Sequence, residues 1–240
     1  MLNKDNNTDA DSNIPRHQKR KACLDDGCNP ELVKGADFDG YLGIPIIKKP
    51  KEYVIPTGIS PFSCRNRIKN KYEAIGFFEN DPIFADVLIN PNKYDEEFKG
   101  RIIISLDCSL YRSSPLAVQI TNTYRNRALG YHFQTIGAYV IPLIRWGNSL
   151  TYSTSVLPEK VAFLGVEKHS IVAVSTYGCC QTKDDKIEFS NGLKAMMETI
   201  EPEVVIVYGS MPNSIFAPYL TQARFIHFPD WTTRMHGGDK

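Results

Sequence analysis

The chain has 240 residues, is 42% hydrophobic and carries a formal net charge of +1. That length suits one large domain with a substantial core, and the near-balanced charge argues against whole-molecule attraction to nucleic acid or anionic lipid. No apolar run approaches the roughly 18 residues a membrane-spanning helix needs, and the polar stretch MLNKDNNTDADSN lacks the apolar centre of a secretory signal. With cysteines expected as reduced thiols, these features point to a cytoplasmic protein.

Residues 1–28 read as a disordered polar and basic tail, and residues 29–240 as a single α/β domain. The tail has too few apolar residues to offset the entropy of ordering. Its cluster Arg16, Lys19, Arg20 and Lys21 is either simply solvated or a weak phosphate-binding arm. Cys23 and Cys28, with Cys64 and His17 nearby in sequence, supply one short pair where a structural zinc site uses two, so no metal is assigned.

Residues 29–65 alternate short apolar pieces with Pro and Gly, which predicts a lead-in of short strands and loops. YEAIGFF (72–78) reads as a strand, and Asp81-Pro82 as an N-cap and first-turn proline starting a helix to about Asn90. A short helix follows Pro91, Gly100 breaks it, and 101–107 is the next strand. Ser114-Pro115 repeats the cap-and-proline device and opens a long helix that Gly137 ends. Leu116, Ile120, Tyr124 and Tyr131 are expected to pack on the sheet. Gln119, Asn122 and Asn126 share a second face, which is either solvated or turned to a ligand with Arg125 or Arg127 reaching an anionic group.

Further strands are expected at 138–146, 171–178, 203–209 and 224–229, with an irregular stretch at 147–168 that holds a short helix at 158–164. Asp185 and Glu188 suggest a capping box for a helix burying Phe189, Leu193, Met196, Met197 and Ile200, which Glu201-Pro202 ends. A short helix is expected from Asn213 or Ser214. Strands alternating with helices imply parallel pairing through right-handed crossovers. A barrel-like (β/α) arrangement is favoured over an open doubly wound sheet, because polar and aromatic residues recur at the strand ends and a barrel gathers them at one mouth.

Those ends carry Asp107, Ser109 and Tyr111; then Arg145 and Trp146; then Ser175 and Cys179; then Tyr208. Asp107 is a candidate base or metal ligand, or else an acceptor for N–H groups of the following turn. Cys179 is a candidate nucleophile. That role needs a base or positive neighbour, which its sequence neighbours do not supply, so the alternative is a buried thiol. Arg125, Arg127 and Arg145 suit phosphate, and Tyr111, Trp146 and Tyr208 suit a ring. Ser109, Asn122 and Ser175 complete the candidate ligand-binding set. Neither G-x-G-x-x-G nor a P-loop is present, Tyr208-Gly209-Ser210 lacks the paired aspartates of a nucleotidyltransferase, and the sequence indicates no particular cofactor.

The blocks KGADFDGYLGIPIIKK, SLDCSLYRSSPLAVQITNTYRNRALG, VIPLIRWG, AVSTYGC and VIVYGSMPNSIF, in this order, resemble a bacterial and phage-associated family known only as a domain of unknown function, numbered 4417. The resemblance covers about residues 29–230 and includes Asp107, Ser109, Tyr111, Asn122, Arg125, Arg127, Trp146, Cys179 and Tyr208; Cys180 and the polar tail depart from it. It implies a prophage or mobile-element setting and no particular reaction.

Two functions are weighed. One is an enzyme or small-ligand binder acting on a phosphate-bearing ligand, a nucleotide or nucleic acid, at the carboxyl ends of the strands. The other is a non-catalytic accessory factor that contacts nucleic acid, or a host or phage protein, through the tail and the basic segment Arg65–Lys71.

Overall fold

The computed structural model describes residues 29–237, so the predicted tail lies outside the described residues. After a 3-10 turn at Pro30–Val33, β1 (Phe38–Asp39) and β2 (Ile44–Pro45) form a small antiparallel pair. There follow β3 (Gly58–Pro61), β4 (Glu73–Gly76), α1 (Asp81–Ile89), α2 (Asp95–Phe98), β5 (Ile102–Ile104), α3 (Leu116–Thr135), β6 (Tyr139–Ile141) and α4 (Ser149–Tyr152). The chain continues with β7 (Ile171–Ser175), α5 (Lys183–Ile200), β8 (Val204–Tyr208), α6 (Asn213–Phe216), β9 (Arg224–Phe228) and α7 (Trp231–His236).

The class is α/β, with parallel ladders in chain order. One sheet runs β3-β4-β5-β6 and a second β7-β8-β9. A parallel bridge between Leu143 and Ala173 joins them, through Ile144 N to Ala173 O at 2.8 Å and Ala173 N to Pro142 O at 2.9 Å.

The near-continuous apolar strands follow from burial of both faces. Ile102, Ile104, Ile141, Leu143, Ile171, Ala173, Val204 and Ile206 meet in an inner cluster that also takes Ile59 and Ala74 and is flanked by Ile226 and Phe228. The alternate residues face outward. Ile103 and Val140 pack with Phe84, Phe98 and Phe133 of the helices, and Val172, Val174, Val205 and Val207 pack with Leu193, Met196 and Ile200 of α5.

Several sequence expectations are corrected by where polar groups find partners. The strand expected over 101–107 leaves its ladder after Ile104, and Ser105 Oγ accepts from Leu143 N at 2.8 Å instead. Asp81 does not cap α1. Its carboxylate accepts from Ser109 Oγ at 2.6 Å and from Ser109 N at 3.3 Å. The capping box of α5 is Thr182 with Asp185, one turn earlier than expected. α7, absent from the sequence reading, is capped by Asp230, whose Oδ1 accepts from Thr233 N at 3.0 Å.

The largest correction concerns α3. Leu116, Ile120 and Tyr131 are only half-buried and join no core cluster, and half-buried Tyr124 alone of the four packs against one, whereas Gln119, Thr123, Asn126 and Arg127 are buried. Loops leaving the parallel strands carry carbonyls without ladder partners, and buried carbonyls need donors. The polar side chains of α3 supply them, with Gln119 Nε2 donating to Ser114 O at 2.8 Å and Asn126 Nδ2 to Leu106 O at 2.5 Å.

Candidate functional site at the strand ends

Three neighbouring strand ends, the residues after β4 and the first turns of α5 enclose a cavity of about 560 Å³, within the usual range for small-molecule sites. Asp107, Ser109 and Tyr111 reach it from the loop after β5, Arg145 and Trp146 from the segment after β6, and Ser175 and Cys179 from the end of β7. Tyr111 is 64% exposed and stands at the margin.

Arg145 links the three loops. Its Nε lies 3.0 Å from Asp107 Oδ1, and its Nη1 donates to Cys179 Sγ at 2.9 Å. The first contact is an ion pair without an aligned hydrogen bond, leaving both Asp107 Oδ1 and Arg145 Nε unsatisfied in that sense. Burial pushes the Asp107 carboxyl above its ordinary range; Arg145 opposes the shift and Asp81 adds to it. Burial also works against the charge of Arg145, but Asp107 and Cys179 outweigh it and hold its pKa above the ordinary value. Cys179 therefore does have a positive neighbour. Arg145 is distant in sequence, so no local motif could reveal it.

The remaining sequence candidates stand behind the cleft. Asn122 Nδ2 donates to Ser109 O at 2.7 Å, and Arg125 Nη1 donates to Asn122 Oδ1 at 3.3 Å, so both steady the Asp107–Ser109 loop. Tyr208 is buried and stacks on the cleft residue Phe78, with ring centroids 4.2 Å apart and planes 10° apart. Its hydroxyl accepts from Trp231 N at 2.9 Å, and burial pushes its pKa up to about 12. It therefore offers no free face to a ligand ring.

Arg127 does not reach an anionic group either. It is 1% exposed, and its donors go to Leu143 O at 2.9 Å, Ala162 O at 3.0 Å and Leu164 O at 2.9 Å, and to Asn126 Oδ1. Burial lowers its pKa to about 10.

The structure adds wall residues that the sequence did not assign to the site: Phe78, Glu79 and Arg112, together with Asp185, Glu188 and Phe189, expected only as a helix cap and a packing face. Asp185, Glu188 and Phe189 fall at i, i+3 and i+4 of one helix, a spacing that does place them on one face. Arg112 lies 3.8 Å from Asp185, and Glu188 Oε1 accepts from the Tyr152 hydroxyl at 2.8 Å. Trp146 tilts against Phe189, ring centroids 5.1 Å apart, and seats on Gly192, where an added Cβ would come within 2.2 Å of Nε1.

Among the described residues no three His, Cys, Asp or Glu side chains group as metal ligands, and no helix is long and apolar enough to cross a membrane. His17, Cys23, Cys28 and the basic cluster of the tail lie outside the described residues. Of the basic segment, Arg65 is committed to Glu97 at 2.8 Å and sits 4.0 Å over the Phe62 ring, while Arg67, Lys69 and Lys71 are exposed.

A family model described as "Domain of unknown function (DUF4417)" matches residues 36–229. The Gene 1 protein of Mycobacterium phage L5 is 29% identical over 139 residues, which is 58% of this chain and 58% of that protein. The Gene 1 protein of Mycobacterium phage D29 is 27% identical over 139 residues, 58% of this chain and 49% of that protein. The chain thus spans about half the length of the curated relatives it matches. No solved structure matches.

Proposed function

The chain belongs to the DUF4417 family, with relatives in two mycobacteriophages, and from that premise we propose that its strand-end cleft binds a small polar ligand of the nucleoside or nucleoside-monophosphate kind. One observation carries the reading: Asp107, Arg145 and Cys179 meet Ser109, Ser175 and Trp146 in a single cavity of about 560 Å³. Trp146 and the marginal Tyr111 offer ring faces, and Ser109 and Ser175 offer hydroxyls. Asp107, with its carboxyl pushed upward by burial, is the group suited to hold or release a proton.

The charge inventory narrows the ligand. Glu79, Asp107, Asp185 and Glu188 outnumber Arg112 and Arg145 in the lining, and both guanidiniums already face carboxylates. A triphosphate would meet the strongest repulsion there, a single phosphate much less, and an uncharged nucleoside none.

The cleft is read as the mouth of a partly closed (β/α) barrel within a single domain. The support is the inner cluster, which draws residues from β3 to β8 and is flanked by β9. A cytoplasmic setting fits the free thiols of Cys64, Cys108, Cys179 and Cys180. An accessory factor that grips nucleic acid through Arg65–Lys71 is less well supported, because Arg65 is already committed to Glu97.

A thermal-unfolding screen with nucleosides and their mono- and triphosphates tests the reading. A fitting compound at about a hundred-fold excess over its Kd should raise the midpoint by about 5 °C or more. The triphosphates should raise it least. No shift with any nucleoside or monophosphate would overturn the proposal.

A further inference from the structure

We propose that Cys179 is the nucleophile of the cleft, its sulfur held by Arg145 and facing a carbon electrophile of the bound ligand. The inference rests on the cleft being a ligand site and adds the chemistry performed there.

The local fold brings the sulfur to the cavity. β7 ends at Ser175, Cys179 N donates to Thr176 O at 3.1 Å, and Gly178 takes a φ of 73°. That left-handed value is open to glycine at little cost and lets the chain turn back sharply. Cys179 is consequently half-buried and lines the cavity, whereas Cys108 is buried outside its lining.

The partner of the sulfur is a half-buried cation. Arg145 Nη1 donates to Sγ at 2.9 Å, and a guanidinium donor is matched far better by a thiolate than by the weak acceptor of a neutral thiol. A second observation points to an occupant. Asp107 is more than nine-tenths buried, lines the same cavity, and its Oδ1 has no aligned hydrogen bond. Arg145 thus stands between a carboxyl that can take up a proton and the sulfur that gives one up. In the reaction the Sγ–C bond forms as the bond from carbon to the leaving group breaks. The leaving group departs with that electron pair and takes the proton that the sulfur has given up to Asp107.

Alkylation of the full chain by iodoacetamide, followed cysteine by cysteine with peptide mass spectrometry, tests this without the natural ligand. The S–C bond forms, the C–I bond breaks and iodide leaves. At about pH 7, Cys179 should react at least about ten-fold faster than the half-buried Cys64. Cys180, whose pKa burial pushes up to about 12, should be slower still. R145Q should slow Cys179 by about ten-fold. Because R145Q leaves the Asp107 charge buried alone, the double variant R145Q/D107N, checked by circular dichroism, gives the same readout without that charge. Cys179 reacting no faster than Cys64, or at an unchanged or increased rate in the folded double variant, would overturn the proposal. Either failure concerns the thiol alone and leaves the binding reading to its own thermal test.

Discussion

Asp107 Oδ1 stands 3.0 Å from Arg145 Nε, a buried ion pair joining the loop after β5 to the segment after β6. Removing one member strands the other. R145Q should therefore cost about 3–5 kcal/mol, much of it the penalty of an uncompensated Asp107, and R145Q/D107N should recover part of that loss. Urea denaturation of the two variants beside the wild type checks the order.

The same carboxyl sets a pH dependence. Its folded pKa is raised, foremost by burial. Asp107 therefore binds its proton more tightly folded than unfolded. Its stabilising contribution is complete below the unfolded value of about 4 and is lost as pH climbs through the raised folded value. D107N should flatten that part of the stability profile from about pH 4 upward, while the slopes due to other groups persist. Denaturant midpoints measured across pH for wild type and D107N give the comparison, and an unchanged slope would contradict the assignment.

Arg127 is expected to act on stability rather than on ligand affinity. R127M would leave the carbonyls of Leu143, Ala162 and Leu164 without their donor. At about 1–3 kcal/mol for each buried unsatisfied group, the loss approaches the whole stability of an ordinary domain. R127K keeps the charge but not the planar fork that reaches three carbonyls at once, so it should lower the unfolding midpoint nearly as far. Wild-type stability in R127K would contradict that role.

This residue also marks the limit of what was legible in the sequence. Apolar runs locate β5, β6, β7 and β8, and the residues that follow β5, β6 and β7 assemble Asp107, Arg145, Ser175 and Cys179. On α3, hydropathy assigns Leu116 and Ile120 inward as well as Tyr124, and only Tyr124 packs against the core. The loops above the sheet instead required donors, and Asn126 and Arg127 provided them. Likewise Asp81 carries the sequence signature of a cap but is drawn to Ser109, some thirty residues on in the chain. The Arg145–Cys179 contact spans 34 residues, and the parallel bridge between Leu143, just after β6, and Ala173 of β7 brings the two segments side by side.

Gly192 offers a direct handle on the aromatic wall. Alanine is ordinarily favoured over glycine inside a helix by about 1 kcal/mol. Here its Cβ would fall 2.2 Å from Trp146 Nε1, so G192A should push the indole off its seat on α5 and into the cavity. In a W231F background, which leaves Trp146 as the single tryptophan, the fluorescence maximum should shift on G192A, and any nucleoside-induced rise in the unfolding midpoint should shrink. An unshifted spectrum with an undiminished rise would mean that Trp146 does not form the ligand wall.

The central claim is that the strand-end cleft is where the ligand sits, and amide hydrogen exchange tests it most directly. With the five common nucleoside monophosphates added in turn, at least one should slow exchange together at residues 107–112, 145–147 and 175–180, the segments that carry the lining of the cavity. Unchanged exchange in all three segments, or protection confined to the basic stretch 65–71, would contradict it.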